Sequence, residues 1–184
     1  PRPSHAAGVR DPHMNALIPT WIGGDLVAVD KLEAHQRGLR HKAVSVFVMA
    51  GEDLLIQRRA LGKYHTPGLW ANTCCTHPHW GEEPLACAHR RLFEELGITG
   101  LSLTHRDQVE YRADVGGGLI EHEVVDMFMC RLPARCDLNP NPEEVMDTRW
   151  ISLNALNAAI RMNPARYTPW LRIYMAEHAA QIFA

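Results

Sequence analysis

No stretch of the chain approaches the roughly 18 consecutive apolar residues of a membrane-spanning helix, so a helical span is excluded. Neither sign of charge is in excess. The 19 Lys and Arg against 21 Asp and Glu leave a net charge of -2 with the histidines neutral. That balance argues against a general nucleic-acid binder. No segment resembles a secretory signal, and the five cysteines are odd in number and irregularly spaced. This is the pattern of free thiols in a reducing cytoplasm and not of a disulfide framework. Internal repeats and low-complexity linkers are also missing. What remains is an ordinary globular composition, 46% hydrophobic, in 184 residues. That length suits one domain with a sizeable core and is short for two.

The opening residues 1–14, "PRPSHAAGVRDPHM", lack periodicity and end at Met14. They read as an expression leader or a disordered tail, which leaves 15–184 as the folded domain. Two of the eleven histidines, His5 and His13, fall in this leader, so the histidine count by itself decides nothing.

"AVSVFVM" (43–49) is apolar and β-branched and predicts a buried strand. "AGEDLL" turns into a second strand, "LLIQRR", and "LGKYHTPGLWANT" reads as a loop. A helix is expected from Pro84 to just before Gly97, with Glu82 and Glu83 suiting its positive N-terminus. "QVEYRA" and "EHEVVDMFMCRL" read as strands around Gly116-Gly117-Gly118, "TRWISL" as another, and two helical stretches near 152–162 and 169–182 close the chain. Hairpin-paired strands mixed with helices predict an α/β sandwich around a mixed sheet.

"ANTCCTHPHWGEEP" (71–84) sets two adjacent cysteines just ahead of a histidine. Cys74 and Cys75 cannot form a relaxed disulfide with each other. A metal site, a reactive thiol and two small buried side chains remain as readings. A cysteine-ligated zinc site lacks a second cysteine pair at zinc spacing. On the helix that follows, Leu85, Ala88, Leu92 and Leu96 form an apolar stripe. Arg91 and Glu95, four apart, are expected along its edge, and Arg90 and Glu94 on the outer face as a surface salt bridge. Glu121 and Glu123 alternate along a strand and so share one face, with His122 pointing away.

Together, "KLEAH", "HKAVSVFVM", "RRALGKYHTPGLWANTCCTHP", "EYRA", "IEHEV", "PEEVMDTRW" and "YTPW" resemble, in order and separation, the type 1 isopentenyl diphosphate isomerases. The resemblance covers most of residues 28–172 and includes a Nudix box. Glu82, Arg90, Glu94, Glu95, Gly97 and Ile98 match the box, whereas Thr76 replaces its first glycine and Arg91 its central glutamate. Exchanging that carboxylate for arginine removes a hard metal ligand and adds a phosphate fork, which suits gripping a diphosphate without cutting it.

The resemblance implies a Nudix-like sandwich, its mixed sheet packed between helices. It also implies that isopentenyl and dimethylallyl diphosphate are interconverted through a carbocation-like state. Cys75, Glu123 and Tyr111 would be the proton-handling groups, with Cys74 structural. A transition metal, manganese or zinc, would be held by His35, His41, His77, Glu121 and Glu123. A magnesium ion would join Glu95 to the diphosphate, and no organic cofactor is implied. Lys31, Arg59, Lys63 and Arg91 would bind the diphosphate, Arg58 facing away, and Trp170 would stabilise the cation. The expected partner is a small diphosphate, with no nucleic acid or membrane, for a cytoplasmic monomer. Cys87, Cys130 and Cys136 read as core or surface thiols, and Trp70, Trp80 and Trp150 as packing residues. A Nudix pyrophosphohydrolase acting on a nucleotide is the first rival, opposed by Arg91 and Cys75. A non-catalytic metal-binding module is the second, and it would have no use for Cys75, Tyr111 and Trp170 together.

Overall fold

Two strands that are apolar on both faces organise the molecule. In β3 (Arg40–Ala50), Ala43, Phe47 and Met49 point to one side, and Val44, Val46 and Val48 to the other. In β8 (Leu119–Leu132), Val125, Met127 and Met129 share the first side and Phe128 and Cys130 the second. Strands of this kind need cover on both faces. They lie side by side and parallel, in register from Arg40↔His122 to Ala50↔Leu132. The computed structural model describes residues 16–184; the leader expected at 1–14 lies outside them.

The other edge of β3 is shared in sequence by three strands. β1 (Leu17–Ile22) meets it at His41, β6 (Cys74–Thr76) at Val44–Val46, and β4 (Asp53–Arg59) at Met49–Ala50. β2 (Asp25–Asp30) forms a hairpin with β1, β7 (Thr104–Gly116) with β8, and β5 (Trp70–Ala71) and β9 (Val145–Ser152) flank β4. The sheet is therefore mixed, as expected. On one face lies α2 (Pro84–Leu96) over Val44, Val46 and Val48. On the other lie α3 (Leu153–Met162), α4 (Pro169–Glu177) and α5 (Ala179–Phe183), which add Leu156, Trp170, Leu171, Tyr174 and Ile182 to the core. A short α1 (Lys31–Arg37), capped by the Asp30 side chain, follows the β1–β2 hairpin.

α2 runs between the predicted ends. Pro84 occupies its first turn, where a missing N–H is harmless. Gly97 stops it at φ 66, and a Cβ there would lie 2.8 Å from the Asn139 Cβ and 3.0 Å from its carbonyl oxygen, so only glycine fits.

Three expectations need correction. Leu85 is 44% exposed and leaves the apolar stripe, while Cys87 joins it. The buried face of α2 is centred on Ala88, Arg91 and Glu95, so the charged pair lies within the stripe and not at its edge. Burial is possible there because each charge meets partners described below. Trp80, on the surface turn between β6 and α2, is 49% exposed and does not pack the core; Trp70 and Trp150 do. The segment "LGKYHTPGLWANT" also contains β5 within the loop expected.

Candidate active site

Four metal-type donors converge where β3, β8, α1 and the segment after β6 meet. His35 comes from the last turn of α1, His41 from the start of β3, His77 from just past β6 and Glu123 from β8, and their donor atoms lie within 4.8 Å of one another. The hydrogen bonds behind the rings fix their tautomers. Nδ1 of His35 donates to the Lys31 carbonyl at 2.7 Å, and Nδ1 of His41 to the Leu39 carbonyl at 2.7 Å. Each ring thus presents a bare Nε2 lone pair inward, and neither Nε2 makes a hydrogen bond although both rings are fully buried. That is the arrangement of imidazoles prepared for a cation.

His77 Nε2 sits 2.8 Å from Glu123 Oε1. Burial, reinforced by the neighbouring imidazoles, lowers His35 to about 2. Burial also lowers His77 to about 4, partly opposed by Glu123. Both stay neutral, as ligands must. Burial would raise Glu123, but the contact with His77 Nε2 outweighs that and holds it well below the usual carboxylate range. The donor set, three imidazoles with an ionised carboxylate, fits a divalent transition metal.

The fifth expected ligand, Glu121, stands in an adjoining group. Its Oε1 is 3.9 Å from His35 Nε2 and 2.9 Å from His65 Nε2. Burial and the charge of Glu123 raise it well above the usual range. The Tyr111 hydroxyl joins the two carboxyl groups, 2.6 Å from Glu121 Oε2 and 2.8 Å from Glu123 Oε2. Strand pairing explains this meeting, since Tyr111 is directly opposite Glu123 across β7 and β8. His122, between the two glutamates, points out to the exposed Glu110.

Cys74 and Cys75 diverge as an extended segment requires. Cys74 is fully buried under α2, its thiol donating to Glu95 Oε2 at 3.2 Å. Cys75 opens to the opposite face, opposite Ser45 on β3. Its Sγ donates to Asn72 Oδ1 at 2.7 Å and lies 3.2 Å from Ser45 Oγ, which in turn is 3.0 Å from the Tyr174 hydroxyl. Burial raises the Cys75 thiol, an effect the Ser45 contact partly opposes. β6 and β8 border β3 on opposite edges, so Cys75 and the Tyr111–Glu121–Glu123 group reach one pocket from either side of that strand.

The pocket is a narrow cleft, partly open to solvent. Lys31, Arg59, Lys63, Arg91, Glu95 and Trp170 line it along with the groups above. Arg91 is held between carboxylates: Nη1 is 2.7 Å from Glu94 Oε2, and Nη2 is 2.8 Å from Glu95 Oε1 and 3.4 Å from Glu144 Oε2. Burial alone would lower its pKa; Glu95 and Glu144 outweigh that and raise it. Lys63 Nζ lies 2.6 Å from the same Glu144 oxygen. The Arg59 guanidinium carbon lies over the Trp170 ring, 5.3 Å from its centroid. Arg58 turns away, donating to the Gly68 carbonyl. The outer pair expected at Arg90 and Glu94 is present at 3.2 Å, but the shorter contact of Arg90 is with Glu82, at 2.7 Å.

The structure thus gathers every sequence-predicted site residue at this pocket or its metal-type cluster. Other neighbours carry no such signal in the sequence. Glu144, from "PEEV", bridges Lys63 and Arg91. Gln57 donates to Glu95 Oε2 at 2.9 Å. His65 is buried beside Glu121 and Trp170. Glu144 and His65 lie inside motifs already singled out, "PEEVMDTRW" and "RRALGKYHTPGLWANTCCTHP". Only the fold puts them beside the site.

Comparison with known proteins is consistent with this geometry. The NUDIX domain family model matches residues 39–171. The chain is 68% identical over 170 residues to a protein from Dinoroseobacter shibae named isopentenyl-diphosphate Delta-isomerase, covering 92% of this chain and 97% of that one. A protein of the same name from Rhodobacter capsulatus is 58% identical over 167 residues, covering 91% and 95%. Among solved structures, a Deinococcus radiodurans protein superimposes with TM-score 0.69 at 15% identity, covering 91% of this chain and 99% of that one. A MutT protein from Methanosarcina mazei gives TM-score 0.61 at 16% identity, covering 77% and 94%. At that identity these structures speak to the fold alone.

Proposed function

Because the chain belongs to the Nudix family and, within it, to the isopentenyl-diphosphate Delta-isomerases, we propose that the pocket flanking β3 is where isopentenyl and dimethylallyl diphosphate are interconverted. One observation carries the assignment. A thiol, Cys75, and a carboxyl–phenol group, Tyr111 with Glu121 and Glu123, enter the same pocket from opposite edges of one strand. Shifting a double bond needs this. One face of the alkene receives a proton, forming a tertiary cation, and the neighbouring carbon then loses a proton. Because the reaction is reversible, the two sides exchange donor and acceptor roles with direction.

The remaining residues bind and shield. Lys31, Arg59, Lys63 and Arg91 hold the diphosphate end, Arg91 with a fork that lysine cannot copy. Trp170, 2% exposed, lines the pocket where its indole can face the cationic carbon and helps to keep water out. His35, His41, His77 and Glu123, with Glu121 alongside, would hold a transition metal, manganese or zinc. When bound it would supply fixed positive charge that keeps the carboxylate ionised and braces the site. Glu95, already fixed by Gln57, Cys74 and Arg91, would be the protein's carboxylate for a magnesium ion shared with diphosphate oxygens. No organic cofactor has a part in this account. Residues 15–184 act as one isomerase domain, a cytoplasmic monomer with a small diphosphate as partner and neither nucleic acid nor membrane. Five free thiols support a reducing compartment. Among the described residues no helix is long and apolar enough to cross a membrane.

Two assays on the purified protein test the reading: isomer exchange of isopentenyl diphosphate, and phosphate release from nucleoside triphosphates. Isomer exchange without phosphate release is expected, and the reverse pattern sinks the proposal in favour of a hydrolase.

Removing the metal is expected to loosen residues 16–41 first. His35 and His41 tie the β1–β2–α1 segment to β8, and that segment has only a small core of its own, built on Ile18, Val29 and Ala34. Hydrogen exchange before and after chelation checks this, and unchanged protection there counts against these ligands.

A further inference from the structure

One buried imidazole in the pocket has no part in the chemistry above. His65 is 4% exposed, and its Nε2 is 2.9 Å from Glu121 Oε1, close but not aligned as a hydrogen bond. Its ring meets Trp170 edge-on, with centroids 5.7 Å apart at 79°. Its backbone carbonyl accepts from Arg59 Nη2 at 3.1 Å. Its Nδ1 lies 2.8 Å from the Thr66 hydroxyl. With that hydroxyl donating to Nδ1, the ring proton sits on Nε2, the nitrogen nearer Glu121.

The backbone at this point is unusual. Thr66 has φ 46 and is the one non-glycine residue with positive φ among the described residues. A β-branched residue in that conformation costs on the order of 1–3 kcal/mol and persists only where surrounding contacts over-determine it. Here the overriding contacts are those of His65, turned inward by the strained residue that also anchors its ring.

We propose that His65 is a positioning residue: held by the Thr66 turn, it fixes Glu121 against Tyr111 and packs against Trp170, the two groups on either side of it. Glu121 already has its other oxygen on Tyr111. Without His65, Oε1 would lose a neighbour at 2.9 Å and the carboxyl could rotate away. The kinetic part of this inference rests on the isomerase reading. The metal-binding part does not.

The test compares wild type with His65→Ala, His65→Gln and Thr66→Val. Gln can return an N–H near the position of Nε2, and Val keeps the shape of Thr but removes the hydroxyl anchor. Partners behind metal ligands typically control 10–100-fold in affinity or activity. The Ala variant should therefore lose about 10-fold or more in kcat with KM within about two-fold, since the group it releases is not on the diphosphate. Titration of metal-stripped protein with Mn²⁺ alone, followed by electron paramagnetic resonance, should show weaker binding in Ala. Gln should recover most of both losses, and Thr66→Val should show a smaller loss in the same direction. Thermal melting monitors folding. If the Ala variant does not fold, Gln against Thr66→Val carries the comparison: Gln is expected near wild type and Val below it. Wild-type kcat and Mn²⁺ affinity in Ala, equal damage in Ala and Gln, a loss confined to KM, or Thr66→Val no weaker than Gln would each overturn the proposal. A wild-type protein without isomer exchange would instead sink the functional reading and leave the Mn²⁺ comparison standing.

Discussion

Cys75→Ala is expected to abolish measurable isomerisation, while Cys74→Ala keeps most of it. The two thiols are adjacent in sequence and opposite in environment. Cys75 lines the pocket and is tied to Asn72 and Ser45. Cys74 faces α2 and donates to Glu95. Loss of a positioned proton carrier costs roughly 10²–10⁴-fold in rate, and alanine offers nothing in its place. Cys74→Ala removes one buried sulfur and one of the donors to Glu95 Oε2, but Gln57 keeps the other. Its main effect should be on stability, of order 1–2 kcal/mol, as for other small buried deletions. Steady-state isomerisation and thermal melting of both variants check the pair. An active Cys75→Ala beside an inactive Cys74→Ala would show that the register of β6 has been misassigned.

Arg91→Glu is expected to lose isomerase activity even more broadly. The substitution restores the Nudix-box glutamate, but it puts a further carboxylate among Glu94, Glu95 and Glu144, which Arg91 now neutralises. Breaking a buried charge cluster by removing one partner typically costs about 3–5 kcal/mol, so the variant should melt well below wild type. The diphosphate also loses a charge-assisted contact worth ~2 kcal/mol or more. Arg91→Lys separates the two effects. It keeps the charge and much of the fold but not the fork, so KM should rise with a smaller change in melting. Neither variant is expected to become an efficient phosphohydrolase, since each weakens the grip on the diphosphate. Wild-type rate and saturation in Arg91→Glu would remove this residue from the diphosphate site.

Long periodic elements and local chemistry were legible in the sequence. The bounds of α2 follow from Pro84 and Gly97, and β3 and β8 from their apolar runs. The alternation of Glu121, His122 and Glu123 predicted correctly which carboxylates share a face. Less of the short structure was legible. β1, β2, β5 and β6 are two to six residues long and take their strand character from pairing with one another and with β3 and β4, which no local pattern encodes. Helical periodicity alone puts the charged Arg91 and Glu95 at the margin of the stripe, whereas both are buried within it. Their burial depends on Gln57, Cys74 and Glu144, from distant parts of the chain. The place of His65 is hidden in the sequence for a related reason. Its role follows from the turn at Thr66, and a positive φ at threonine has no sequence signal.

The central claim is that this pocket moves a double bond by adding and removing protons and leaves the diphosphate whole. Incubating the purified protein with isopentenyl diphosphate in deuterium oxide, and reading the product by mass spectrometry and NMR, tests it most directly. The account predicts dimethylallyl diphosphate carrying solvent deuterium in the newly formed methyl group, with both phosphates retained and with no such product from Cys75→Ala. Release of phosphate, or recovery of isopentenyl diphosphate with no deuterium and no shifted double bond, would contradict it.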